Sequence, residues 1–317
     1  MANNLFKQLL KMKRQEMRPA RRKASYKQQA PAWIYPFQYE REYSKVIAQM
    51  LAPVVEAIRF EFSREKLETW TAEMRADVRQ DGFADALSLS IDDLFKIVVK
   101  LFVTDPEPRR LLVSTLGFDI SNFNRGQMGR ILDRLVGVKS VTTEDWETDV
   151  VKVWGRDNMT LIRGLAEDVI KKINVEISNG TMFGKTAKEM ENAVNELLNG
   201  QIGNYKNPGY RAKLIARDQV GKINGYMTER RQKDVGISFY EWSTSGDERV
   251  RASHKAMDGK LCRWDDSSVM SEDGGKTWIS RPADMVGKIP GSDIQCRCSA
   301  LPWFNDIYGE IDDEITA

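Results

Sequence analysis

Histidine is almost missing from this 317-residue chain, where His254 stands alone. Cysteine is scarce as well, with Cys262, Cys296 and Cys298 as the full set. One imidazole excludes any centre built on several. Three thiols are an odd count, which argues against a secreted disulfide framework and for a reducing compartment. No apolar run approaches the roughly 18 residues that a membrane-spanning helix needs. The opening residues, MANNLFKQLLKMKRQEMRPARRK, lack the apolar stretch of a secretory signal. Internal repeats and low-complexity blocks are also missing. What remains is near-average apolar content with abundant charge of both signs, as in a soluble helical protein with charged outer faces.

The charge is unevenly placed. Nine basic residues and one acid, Glu16, lie between Lys7 and Lys27, whereas Asp306 to Glu314 carries five acids and no base. Lys11, Lys13, Arg14, Arg18, Arg21, Arg22 and Lys23 are the candidates for contact with DNA phosphates or an acidic surface. The alternative is a solvated terminus. An aromatic patch follows at Trp33, Tyr35, Phe37 and Tyr39, where Pro31 and Pro36 favour an extended segment. It serves either as an anchor for a partner or as a strap folded back on its own helices.

Helical spacing dominates the next two hundred or so residues. Ser63 to Gly82 reads as one helix, and a second begins at Ser90 and stops at Asp105-Pro106. Arg109–Leu116 and Gln127–Val136 read as shorter helices separated by a Phe118–Gly126 loop. Leu161, Leu165, Val169, Ile173 and Ile177 recur at spacing four, with Asn179-Gly180 as the expected stop. Thr186-Ala-Lys-Glu189 is a capping box, opening a helix that ends at Asn199-Gly200. Pro208-Gly209 marks a break before a long helix from about Tyr210 to Lys233. On it Arg217 and Gly221 share a face, and Asp218 and Lys222 form an i,i+4 pair.

After Gly236 the pattern changes. Ile237–Ser243 is rich in β-branched and aromatic residues and reads as a strand. Asp247–Met257 reads as a short helix capped by Asp247, and Leu261–Trp264, Trp278–Ile279 and Ile294–Ala300 as further extended segments. The fold class is therefore α+β: a largely α-helical N-terminal part with long helices, then a small β-containing C-terminal module. The divisions expected are a basic and aromatic arm (1–40), a helical region (41–140), a long-helix region (141–236), the α+β module (237–303) and an acidic tail (304–317).

All the soft ligands fall in that module. Imidazole and thiolate suit zinc, so His254, Cys262, Cys296 and Cys298 make a candidate Cys3His set. The competing readings are buried, inert cysteines with a hydrogen-bonded histidine, or a redox pair. Asp247, Arg249 and Arg251, joined by Arg297 and Asp258, form either an internal ion-pair network or a clamp for a carboxylate or phosphate.

The run IARDQVGKINGYMTERRQKDVGISFYEWSTSGDERVRASHKAMDG, followed by IPGSDIQCRCSALPW, resembles the head-morphogenesis domain of tailed phages, the Mu F-like minor head proteins. The resemblance covers roughly residues 143–303. It falls on Arg217, Trp242, Thr244, Asp247, Arg249, Val250, Arg251, His254, Gly259, Pro290, Gly291, Cys296, Arg297 and Cys298. Cys262 lies outside the pattern, which leaves Asp247, Asp258 or water as alternative ligands. The resemblance implies a non-enzymatic minor capsid protein that binds the portal and other head or scaffold proteins. It implies a part in head assembly, DNA packaging or ejection, and a place in the virion near the portal vertex, with the host cytoplasm as the site of assembly. Non-specific contact with phage DNA fits the basic arm. The alternative is an enzyme using the His254 and Arg217 region. One version is a metal-dependent nuclease. The other resembles ADP-ribosyltransferases through Arg217 and Ser243-Thr-Ser245, but lacks their paired later glutamates.

Overall fold

The structure, a computed structural model, describes residues 2–16, 33–75, 82–137, 144–199, 201–202 and 205–304. Arg18, Arg21, Arg22, Lys23 and the acidic tail beyond Phe304 lie outside the described residues, as does the side chain of Arg14. The helices are α1 (Ala2–Gln15), α2 (Phe37–Glu61), α3 (Arg64–Arg75), α4 (Gly82–Val99), α5 (Glu107–Leu111), α6 (Phe118–Val136), α7 (Glu147–Met182), α8 (Ala187–Asn199), α9 (Pro208–Asp234) and α10 (Ala252–Met257). Wider π-helical turns occupy Lys100–Thr104 and Leu112–Gly117. The strands are β1 (Gln201–Ile202), β2 (Tyr205–Lys206), β3 (Phe239–Ser243), β4 (Leu261–Arg263), β5 (Val269–Ser271), β6 (Ile279–Ser280) and β7 (Ser299–Trp303). Long helices followed by a small C-terminal sheet are the expected α+β class. Among the described residues no helix is long and apolar enough to cross a membrane.

Packing divides the chain into two units. One comprises Gln38–Gly117 and Val150–Ala216, the other Met1–Phe37, Phe118–Asp149 and Arg217–Ala317.

The first unit is helical apart from the small β1–β2 hairpin. The fourfold spacing of Leu165, Val169, Ile173 and Ile177 is the buried stripe of α7. On α2 the matching stripe is Tyr43, Ile47, Leu51, Val54 and Ile58. Tyr43 packs on Trp154 with ring centroids 5.5 Å apart and donates to Asn158 Oδ1 at 2.5 Å. Asn179-Gly180 does not stop α7. Gly180 is pressed against Met190 inside the helix, and the chain turns at Gly184, whose φ is +67°. There Lys185 N–H donates to Gly180 O at 2.8 Å and Gly184 N–H to Thr181 O at 3.2 Å, a Schellman closure. The capping box forms as its sequence requires: Glu189 N–H donates to Thr186 Oγ1 at 3.3 Å, and Thr186 N–H to Glu189 Oε2 at 2.7 Å. Pro208-Gly209 is the first turn of α9, because Asn207 Oδ1 accepts from Tyr210 N–H at 2.8 Å and caps it. Ser90 begins no helix. It is buried within α4 and donates to Glu61 Oε2 at 3.0 Å.

The second unit carries the sheet, ordered β6-β5-β4-β3-β7, with all neighbours antiparallel. Phe118–Gly126, expected as a loop, is the first half of α6. Its buried face is partly polar, which hid the helical period: Ser121 and Asn124 have no exposed surface, and both accept from Arg231 of α9, at 2.7 and 2.8 Å. Gln232 ties α9 to the sheet. Its Nε2 donates to Ala300 O at 2.9 Å on β7, and its Oε1 accepts from Trp264 Nε1 at 3.1 Å, just past β4. Phe6 and Leu10 of α1 join Met128, Ile131, Leu132, Val235, Ile237 and Phe304 in one core, with Trp33 packed against it. The aromatic strap is thus folded back: Tyr35 is buried, and Ile34 N–H donates to Gln127 Oε1 at 2.6 Å.

Candidate functional site

The site is built where α9 meets the segment leading into β7. Gly221 and Gly225 are one turn apart on α9, so they face the same way. A Cβ added at Gly221 would stand 2.6 Å from Cys296 O, and one at Gly225 would stand 2.3 Å from Pro290 O. Gly291 completes the notch. Its φ is +91°, a region that disfavours side chains, and a Cβ there would meet Gly221 O at 2.4 Å. Backbone therefore lies directly on backbone, which is why glycine is needed at 221, 225 and 291.

Side-chain contacts from Asp218 and Arg217 finish the placement. Asp218 Oδ1 accepts from Gln295 N–H at 2.9 Å, while its Oδ2 accepts from Lys222 Nζ at 2.7 Å, so the expected i,i+4 pair also anchors the loop. Gln295 is the only described residue other than glycine with positive φ, at 55°. Arg217 Nη1 reaches its Oε1 at 3.4 Å. The next residue is Cys296.

His254 arrives from the other side. It lies on α10, which begins at Ala252 with Arg251 as cap. The helix does not start at Asp247 as expected: its carboxylate accepts from Arg249 N–H at 3.0 Å and its carbonyl from Val250 N–H at 3.2 Å, a single turn that is not continued into α10. His254 and Met257 share the buried face of α10. Trp242, fully buried on β3, meets the imidazole edge-on at 5.8 Å and 90°.

These elements bring His254, Cys296 and Cys298 together, all buried, with their ligand atoms within 4.8 Å of one another. His254 Nδ1 lies 3.4 Å from Cys298 Sγ and 3.5 Å from Cys296 Sγ. Its Nε2 lies 3.1 Å from Asp293 Oδ2, which also accepts from Lys288 Nζ at 2.9 Å. Burial pushes the Asp293 carboxyl up, but the Lys288 and His254 hydrogen bonds and the Ile294 amide outweigh it and hold it down at about 2. The Cys296 thiol is lowered by the hydrogen bond from Cys298, against burial, with His254 and the amides of Cys298 and Gly291 adding to it. Cys298 is raised, by that same bond, by burial and by the charge on Cys296. His254 is raised by its hydrogen bond with Cys296, against burial, and by Asp293.

Cys262 is not one of this group, although the sequence placed it there. On β4 it pairs with Tyr240 of β3, whereas Ser299, next to Cys298, pairs with Ser243 on the far side of β3. Two strand spacings alone put β4 and β7 about 10 Å apart. Cys262 is buried beside Tyr240 and Arg281, and burial raises its thiol to about 11, against the pull of Arg281. Such a thiol is inert.

The guanidinium groups surround the cluster. Arg297 Nη1 lies 3.8 Å from Asp247 Oδ2, and its guanidinium stacks over Phe37 at 5.1 Å. Arg251 donates to Ile294 O at 2.7 Å and lies 3.5 Å from Asp293 Oδ2. Asp258 accepts from Thr244 N–H at 2.8 Å and Oγ1 at 2.9 Å, and so it braces the turn after β3. Arg249 is exposed. With Arg217, Arg251, Arg297 and the three candidate ligands it lines a cavity of about 210 Å³. Much of the arginine–carboxylate set is thus an internal network, with Arg249 directed to the cavity rim. Asp293 was not singled out from the sequence. It stands three residues before Cys296, but nothing local connects it to an imidazole 39 positions upstream.

Of the candidate DNA contacts, Lys11 and Lys13 are on α1, and Lys13 Nζ lies 3.9 Å from Glu16.

Residues 171–301 match the family described as Phage Mu protein F like protein. An uncharacterized protein of Haemophilus influenzae is 30% identical over 155 residues, which is 49% of this chain and 30% of that protein. A minor head protein of Bacillus phage SPP1 is 26% identical over 143 residues, 42% of this chain and 41% of that protein. The matched stretch is thus less than half the length of either relative. No solved structure matches the chain.

Proposed function

We propose that this chain, whose residues 171–301 belong to the Mu F-like family of phage head proteins, is a minor head protein. In this reading it joins the forming head, binds the portal oligomer and assists DNA packaging or ejection. It assembles in the host cytoplasm and ends in the virion at the portal vertex, in contact with other head or scaffold proteins. The observation that carries the reading is the convergence of the family motif on one packed site. Arg217, Asp247, Arg251, His254, Pro290, Gly291, Cys296, Arg297 and Cys298 are brought together there. The basic stretch around Lys11, Lys13, Arg14, Arg18, Arg21, Arg22 and Lys23 would meet phage DNA through phosphates, without reading sequence.

The test is biochemical. Tailed particles made in cells that express the tagged full chain are purified and their proteins identified by mass spectrometry, and the chain is co-expressed with its portal protein. The reading expects the chain in purified heads at low copy and co-purifying with the portal oligomer. Normal, infectious heads that lack the chain would end it.

A further inference from the structure

A single imidazole nitrogen faces two sulfurs at nearly equal distance. A two-centre hydrogen bond cannot satisfy both contacts, because Nδ1 has one proton to give or one lone pair to receive and would have to share it between two sulfurs. A metal ion can. Tetrahedral zinc, with Zn–S near 2.3 Å and Zn–N near 2.0–2.1 Å, sets its sulfur and nitrogen ligands about 3.6 Å apart. The separations here are 3.5 Å for Cys296 and 3.4 Å for Cys298.

The surroundings prepare the ligands. Asp293 Oδ2, 3.1 Å from Nε2, is placed to accept a proton from that nitrogen, the tautomer that leaves the Nδ1 lone pair for a metal ion. Lys288 and Arg251 fix Asp293 in turn. Cys298 N–H lies 3.4 Å from Cys296 Sγ, an amide donor to a thiolate. The glycine notch on α9 sets the position of Cys296 through its own carbonyl. All three ligands also line the arginine-rimmed cavity.

We infer that His254, Cys296 and Cys298 are the three protein ligands of a zinc ion whose fourth position opens on that cavity and is filled by water or a small anion. Thiolate and imidazole together select zinc over the hard cations. The rim of Arg217, Arg249, Arg251 and Arg297 favours negative charge at the open position. Asp293 is a positioning residue that acts through His254. The site does not depend on which particle the chain enters.

The experiment uses the full chain, purified without chelators. Elemental analysis should find about one zinc per chain. Exchange for cobalt(II) should give the visible bands of a tetrahedral ion and a thiolate-to-cobalt charge-transfer absorption. Added azide should shift those bands by entering the fourth position. Cys262→Ser should keep full metal content, Cys296→Ser and Cys298→Ser should lose it, and Asp293→Asn should weaken zinc binding by about 10–100-fold. Copper in place of zinc, a cobalt form without charge-transfer absorption, or full metal content in the Cys296→Ser/Cys298→Ser double variant would overturn the assignment. Cobalt bands indifferent to azide would overturn the open position. If the cysteine variants fail to fold, the spectrum of the parent decides alone.

Discussion

Arg231 grips Glu144 with two hydrogen bonds, Nε to Oε1 at 2.8 Å and Nη2 to Oε2 at 2.7 Å, and its side chain is only 2% exposed. The residues are 87 positions apart. Asn124 and Ser121 of α6 accept from Nη1 and Nη2 of Arg231, and Arg125 reaches Glu144 Oε2 at 3.0 Å. Taking away Arg231 leaves the buried Glu144 carboxylate with the more exposed Arg125 alone and leaves Ser121 and Asn124 without their donor. Arg231→Met should therefore cost about 3–5 kcal/mol in urea unfolding followed by tryptophan fluorescence. A variant as stable as the parent would show that the clamp contributes nothing net.

The same carboxylate sets a pH dependence. Burial raises Glu144, but the hydrogen bond and charge of Arg231, and then Arg125, outweigh it and bring it below its ordinary value of 4.5. A group lowered on folding stabilises above its unfolded pKa and loses that contribution as pH falls through the folded one. The thermal midpoint should therefore begin to drop near pH 4.5 and fall further below it, and Glu144→Gln should flatten that limb. An unchanged acid profile in the variant would assign the loss to other groups.

Two alanine substitutions should act in opposite directions. Gly225→Ala drives a methyl group into Pro290 O and should destabilise by about 1–3 kcal/mol through overpacking. Gly164→Ala, on an exposed and open position of α7, should stabilise by about 0.5–1 kcal/mol through helix propensity. Paired denaturation curves check both signs.

Thr186→Ala removes the hydroxyl that caps α8 and should cost about 1 kcal/mol. Thr186→Ser should restore nearly all of it, because the oxygen alone makes the bond. Equal losses in both variants would point to the methyl group instead.

DNA affinity, measured against salt by fluorescence anisotropy, supplies the last check. Replacing Arg18, Arg21, Arg22 and Lys23 with glutamine should reduce the slope of log K on log salt by up to about 3–4. A slope equal to the parent's would remove the arm from DNA contact.

What could be read from the sequence was mostly local. The Thr186–Glu189 box and the stripe on α7 are fixed by neighbours a few positions away, so their spacing reveals them, and the β-branched and aromatic run Ile237–Ser243 shows as a strand by composition, with Phe239–Ser243 paired. The first half of α6 was hidden because its buried side chains, Ser121 and Asn124, are satisfied by Arg231 more than a hundred positions later. Asp247 and Ser90 carry good capping chemistry, yet one closes a turn and the other bonds Glu61 from inside a helix. For the site, His254, Cys296 and Cys298 were legible as soft ligands. The exclusion of Cys262 was not, because it depends on which side of β3 each strand pairs, and only the register decides that. Asp293 was hidden for the same reason as Ser121: its partner is distant in sequence.

The notch formed by Gly221 and Gly225 works like a keyway. Pro290-Gly291 can seat at one height along α9 and no other, since one residue up or down would bring a side chain against the incoming backbone. The excursion through β4, β5 and β6 shares a buried cluster with Cys296 and Cys298 through Cys262, Trp264 and Met270, so only its exposed turn lies apart from that seat. Its outer turn at Glu272–Lys276 can grow or shrink without shifting Cys296, and length variation in this module should collect there.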